Sequence, residues 1–222
     1  MPPFNHFAIE QKFNVDKFGL LKKSNKIKVM KAGQKTTREA KCGRGREYIP
    51  NPFFRMMTFA MKTMDILTNY SNRKFNTLRL EENQMVVDYG CGPARYIRNA
   101  SLAVGPKGKV YAVDIHPMAL EHVEKVTRKH HLQNVEAVLA DGYSCPIPGQ
   151  TADVVYALDM FHMIEQPTEL LKELTRIVKS DGKVIIEDGH QPRENTIRKI
   201  EQAGILVVKD QNKYHVVCVP KN

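Results

Sequence analysis

Met85-Val86-Val87-Asp88-Tyr89-Gly90-Cys91-Gly92-Pro93-Ala94 carries the clearest structural signal in the chain. A short apolar run ends in an acid and reads as a buried strand. It passes into a glycine loop that opens a helix. Glycines let backbone amides approach a ligand closely, and a helix N-terminus favours negative groups. Cys91 offers the small side chain a tight loop needs, and Pro93 suits a first helical turn.

The loop's spacing separates the nucleotide-binding options. A dinucleotide fingerprint needs Gly or Ala at position 95, where Arg95 stands. A phosphate-binding loop needs Gly-Lys before Ser or Thr, which is missing. What remains is an acid followed by Gly-x-Gly-x-Ala. Ala94 fills a third glycine position, where close helix–strand packing tolerates alanine.

Downstream, short apolar runs recur at Lys109–Asp114, Val135–Ala140, Asp153–Leu158 and Lys183–Asp188. They alternate with helical patterns, Ala119/Val123/Val126/His130 and Leu170/Leu171/Leu174/Ile177/Val178. This is the pattern of a parallel sheet covered on both faces, an α/β doubly wound fold. Gly105-Pro106 and Ser180-Asp181-Gly182 read as helix stops and turns. Ile205–Lys209 and Tyr214–Val219 follow a last helix closed by Gly204, with too few residues between them for a crossover. They predict an antiparallel hairpin.

Upstream, Phe53, Met57, Ala60, Met64 and Leu67 recur at helical spacing behind Pro52, a Met-rich amphipathic helix suited to core or lid packing. Residues 1–50 resist reading. They hold twelve Lys or Arg against four Asp or Glu, so most of the net charge of +10 sits there. We expect a basic N-terminal extension over residues 1–50 and one domain over residues 51–222. The extension is a solvated leader or, as a second option, a docking arm for nucleic acid.

The 222 residues are 42% apolar and 26% charged, ordinary for a globular chain. No apolar run reaches the length of a membrane span, and no secretory pattern opens the chain. A cytoplasmic protein with no membrane partner is expected. Cys42, Cys91, Cys145 and Cys218 form no metal-ligand spacing, so no metal is expected.

In an open α/β sheet, ligands bind at the carboxyl ends of the strands. Four acids stand at such ends. Beyond Asp88, Asp114 has the lone pairs to accept from two ribose hydroxyls, or it caps the next helix. Asp141 suits an adenine amino group, with the Gly142 N–H donating to a ring nitrogen. Asp159 opens the Asp159-Met160-Phe161-His162 segment after the fourth strand. His162 is the candidate general base, because an imidazole titrates near neutrality. His190, after the fifth strand, has similar standing.

These motifs, in this order and spacing, resemble the class I S-adenosylmethionine-dependent methyltransferases, most closely the ubiquinone/menaquinone-biosynthesis type and small relatives of it. The resemblance covers residues 52–219. It implies a seven-stranded, mostly parallel sheet of order 3-2-1-4-5-7-6, with the last strand antiparallel. It implies S-adenosylmethionine as cofactor, with S-adenosylhomocysteine as product. Asp88, Gly90, Cys91 and Gly92 would serve the methionine end, Asp114 and Ile115 the ribose side, and Asp141 and Gly142 the adenine. Asp159 would lie near the methionine end, and Tyr89 and Phe161 are aromatic candidates for the cationic sulfur.

The acceptor is not fixed by the fold. The Asn/Asp-Pro-Pro-Tyr/Phe motif of amino-methylating enzymes is absent after strand four, which favours a small-molecule acceptor. The alternatives are an RNA or protein methyltransferase docking through residues 1–50, and a non-catalytic S-adenosylmethionine-binding regulator.

Overall fold

The computed structural model describes residues 29–31 and 47–221. In chain order its elements are β1 (Val29–Lys31), α1 (Asn51–Thr68), α2 (Tyr70–Asn76), β2 (Met85–Tyr89), α3 (Ile97–Val104), β3 (Lys109–Asp114), α4 (Pro117–Lys129), β4 (Val135–Leu139), β5 (Ala152–Ala157), α5 (Pro167–Ile177), β6 (Val178–Glu187), α6 (Arg193–Ala203), β7 (Leu206–Gln211) and β8 (His215–Pro220).

The strands form one sheet of order β1-β4-β3-β2-β5-β6-β8-β7. Strands β2 to β8 reproduce the expected order 3-2-1-4-5-7-6, and β8 runs antiparallel to both β6 and β7. Alternation along each strand splits the core in two. Val86, Val110, Ala112 and Val154 pack with α3, α4 and Phe54 of α1. Val87, Val113, Val155 and Ile186 pack with α5 and α6. Both faces are dry, which is why the strand sequences read as continuous apolar runs. Strand order reverses between β2 and β5, so the glycine loop and Asp159 leave the sheet side by side.

Three features depart from the sequence reading. First, β1 pairs in parallel with β4, Val29 opposite Ala137, so a piece of the basic extension belongs to the sheet. Second, Ser180-Asp181-Gly182 is not a turn before a strand but a bulge inside β6. Val178 pairs with Ala152, and the ladder resumes only at Lys183 with Val154. Gly182 is required there, because a Cβ would stand 2.6 Å from Val178 Cγ2 and 2.8 Å from the Asp153 carbonyl. Third, α1 has the expected period but turns a different face inward. Phe54 and Thr58 are buried and Met57, Met61 and Asp65 half-buried, whereas Phe53, Ala60, Met64 and Leu67 are exposed.

Candidate active site

The glycine loop is built from left-handed backbone. Gly90, Gly92 and Ala94 have φ of +78°, +48° and +62°. A side chain at Gly90 would also meet Met160 Cγ at 2.9 Å. The third position therefore carries a backbone demand, not only the close packing expected for Ala94. The amides do not face a ligand as expected. Gly90 and Cys91 N–H both donate to the Val113 carbonyl, at 2.8 and 3.0 Å. Gly92 N–H donates to Asp114 Oδ2 at 2.8 Å. Helix α3 begins only at Ile97, several residues past the loop.

Asp114 closes β3 as a ledge. Its other oxygen, Oδ1, accepts the His116 N–H at 2.8 Å. Burial raises its pKa, against the His116 and Gly92 amide bonds. The residue capping α4 is His116, whose Nδ1 accepts the Met118 N–H at 3.2 Å. Its Nε2 therefore carries the proton and donates to the Ile49 carbonyl at 2.9 Å. The buried ring stacks on Phe54, centroids 4.5 Å apart, and on Tyr48, 5.2 Å apart. So the residue two positions after Asp114 anchors the segment that enters α1.

Asp159 gathers charges that the sequence does not connect. Its Oδ1 accepts from Lys74 Nζ of α2. Its Oδ2 accepts from Tyr96 O–H at 2.7 Å and from Arg95 Nη1 at 2.9 Å. Arg95 also grips Asp65 of α1 through Nε and Nη2, at 2.8 and 2.5 Å. Lys74 Nζ lies 3.3 Å from Glu187 Oε1 at the end of β6. Glu187 Oε2 accepts the Asp159 N–H at 2.6 Å, and Asp159 has φ +60°. Burial, then the Asp159 charge, pushes the Glu187 carboxyl up against the pull of Lys74. Asp65 is held below its ordinary range; burial opposes this, but the Arg95 and Ser71 hydrogen bonds outweigh it. Burial and the Asp159 charge push the Tyr96 phenol upward, so it stays a neutral donor.

Between these groups lies a cavity of about 940 Å³, counting its open mouth. Of the residues expected from sequence, Gly90, Cys91, Gly92, Asp114, Ile115, Gly142 and Asp159 line it, as does Tyr89. Asp88 does not. It is buried beneath the loop, and its Oδ2 makes no hydrogen bond among the described residues. Burial first, then the Asp114 and Asp159 charges, raises its pKa well above the ordinary carboxylate value. Asp141 is exposed and off the cavity wall, its backbone closing a bridge with Ser144. Phe161 is packed in the core. His162 leans on Gly189 and His190, its ring 5.0 Å from that of His190, and neither histidine lines the cavity. The Cys91 thiol is pushed up by burial and by nearby acids, which disfavours its thiolate.

The sequence reading missed Lys74, Arg95 as a ligand of Asp159, Glu187, and the apolar wall. That wall includes Ile49, Met57, Met61, Met160, Met163 and Ile164. For Lys74 the only available signal was an unremarkable charged residue in a polar helix.

Residues 87–186 match the family model of a methyltransferase domain. A demethylmenaquinone methyltransferase of Geobacillus sp. (strain WCH70) is 29% identical over 115 residues, 52% of this chain and 49% of that protein. One of Bacillus mycoides (strain KBAB4) is 31% identical over 123 residues, 55% and 51% respectively. The chain thus spans about half the length of the curated relatives it matches. The crystal structure of a SAM-dependent methyltransferase from Aquifex aeolicus shares 27% identity at TM-score 0.57, covering 68% of this chain and 87% of that one. A protein from Methanococcus maripaludis, 16% identical with TM-score 0.58 over 86% of this chain, shares the fold.

The cavity suits S-adenosylmethionine. Asp114 keeps lone pairs beyond its two amide bonds, the floor has no side chain at Gly90 and Gly92, and Tyr89 and the methionines supply apolar walls. The glycine loop at the sheet's switch point, the acid closing β3 and the family match converge on residues 87–186 as a methyltransferase domain of the class I S-adenosylmethionine-dependent type.

Proposed function

We propose that this chain transfers the methyl group of S-adenosylmethionine to an uncharged, largely apolar small molecule. The supporting observation is the apolar lining of the cavity. Beside Asp114 and the glycine loop, the lining is built largely from apolar side chains, among them Phe54, Met57, Met61, Met163 and Ile164. An acceptor bound against methionine and phenylalanine needs little charge complementarity, and flexible methionines adapt to its shape.

The cofactor supplies a sulfonium-activated methyl group, so the protein's task is alignment and exclusion of water. Asp114 serves as the ribose acceptor. Asp159 serves as a fixed post near the methionine end: both its oxygens are already engaged by Lys74, Arg95 and Tyr96, which removes it as a general base. The ion pair between Arg95 and Asp65 ties α1, whose Phe54, Met57 and Met61 line the cavity, to the chain just past the glycine loop. Of the expected acid–base groups, His162 loses its standing because the acceptor wall is made without it. Asp88 acts from below the loop, and Asp141 at most from the rim.

Titration with S-adenosylhomocysteine by calorimetry tests the cofactor assignment, since the product cannot turn over. Incubation with labelled S-adenosylmethionine and a panel of quinols, phenols and short lipids tests the acceptor class. Transfer to those compounds and not to RNA or peptides supports the reading. Transfer to RNA that falls steeply with salt would replace it. The docking arm that alternative needs falls mostly outside the described residues.

A further inference from the structure

Helix α1 is apolar on two opposite sides. Its inner side lines the cavity with Phe54, Met57 and Met61. Its outer side presents Phe53 at 58%, Phe59 at 75%, Ile66 at 84% and Leu67 at 78% exposure, with Met56 and Met64 between them. A helix apolar all round is ordinarily buried all round, and a contiguous exposed apolar face marks a contact surface. Along this part of the chain the charges are nearly all basic. From Tyr48 to Leu80 the only acid is Asp65, which is engaged by Arg95. Arg55, Lys62, Arg73 and Arg79 are exposed over the same span.

We infer that the outer face of α1 is a docking surface for an anionic lipid membrane, on which the chain lies with its cavity mouth at the lipid interface. An amphipathic helix with Phe, Leu and Met on one face and basic residues at its border partitions into the headgroup region in this way, parallel to the surface. Among the described residues no helix is long and apolar enough to cross a membrane, so the contact is peripheral. This departs from the expectation, drawn from sequence, that no membrane is involved. The charge asymmetry favours lipid over a second copy of the chain, because two such faces would oppose cation to cation. The inference rests on surface geometry and not on the proposed activity.

Flotation of the full chain with vesicles of phosphatidylcholine, alone or mixed with phosphatidylglycerol, tests it. Binding is expected to the mixed vesicles and to weaken with salt. Phe59→Asp/Leu67→Asp, which touches no cavity residue, is expected to lower partitioning at least about tenfold, with unchanged circular dichroism and thermal melting. Three outcomes overturn the inference: no flotation of the parent chain; undiminished flotation of the double variant, which would assign binding to other basic residues; or a parent dimer in light scattering that the double variant dissociates.

Discussion

Lys74 of α2 and Asp159 beyond β5 are 85 positions apart in sequence and form a partly buried ion pair, in which the lysine side chain has no exposed surface. Glu187 shares the same ammonium group. Breaking a buried pair from one side leaves an uncompensated charge and costs about 3–5 kcal/mol. Lys74→Met is therefore expected to lower the melting temperature sharply and to weaken methyl transfer. Adding Glu187→Gln is expected to recover part of the loss, read by calorimetry of both variants.

The ledge at Asp114 predicts the cofactor effect. Each hydrogen bond to a charged acceptor is worth about 1.5–3 kcal/mol, so Asp114→Ala should weaken S-adenosylhomocysteine binding by roughly tenfold or more. Asp141→Ala is the informative control. Its carboxylate is exposed and off the cavity wall, so its titration curve should stay close to that of the parent. Equal losses in the two variants would show that the rim closes onto the adenine.

Ala94 at φ +62° is strained as an L-residue. Left-handed backbone costs alanine about 1–2 kcal/mol, and the buried methyl group returns about 0.8 kcal/mol. Ala94→Gly should thus stabilise the chain by several tenths to about 1 kcal/mol, seen as a higher denaturation midpoint with an unchanged denaturant slope.

His215 is buried opposite Glu187 on β8, and burial, helped by Arg193, lowers its pKa to about 4. The unfolded chain binds this proton near pH 6.5 and the folded chain only near 4. Stability from His215 is thus complete above pH 6.5 and is lost as pH falls toward 4. Melting temperatures across this range should fall less steeply in His215→Asn than in the parent. The raised Asp88 and Glu187 carboxyls contribute with the opposite slope in both proteins, so the difference between the curves isolates the histidine.

The frame of the fold was legible because its signals are local. Buried strands such as Val86–Val87 and Val154–Val155 are apolar on both faces, and Gly105 and Gly204 stop helices with φ of +68° and +70°. Gly90, Gly92 and Asp114 follow from the same logic, since each stands where a strand ends. What escaped depends on distance. The meeting of Lys74, Arg95, Asp159 and Glu187 joins four separate elements, and no spacing rule relates them. The face of α1 escaped because Phe53 and Phe54 are both large and apolar, and periodicity alone does not say which one the core takes. Edge strand β1 is three residues in a basic run, too short for alternation to register.

The two ends of the sheet bear on how this chain coexists with itself. At one end stands β1, three residues long; at the other is β7, whose ladder slips at Lys209 and continues into Asp210 and Gln211. A strand of another molecule seeking to extend the sheet would find, among the described residues, only three residues of β1 on one side and a kinked, charged border on the other. Crowded solutions of the folded chain should therefore resist cross-β assembly, even though its core strands are rich in valine and isoleucine.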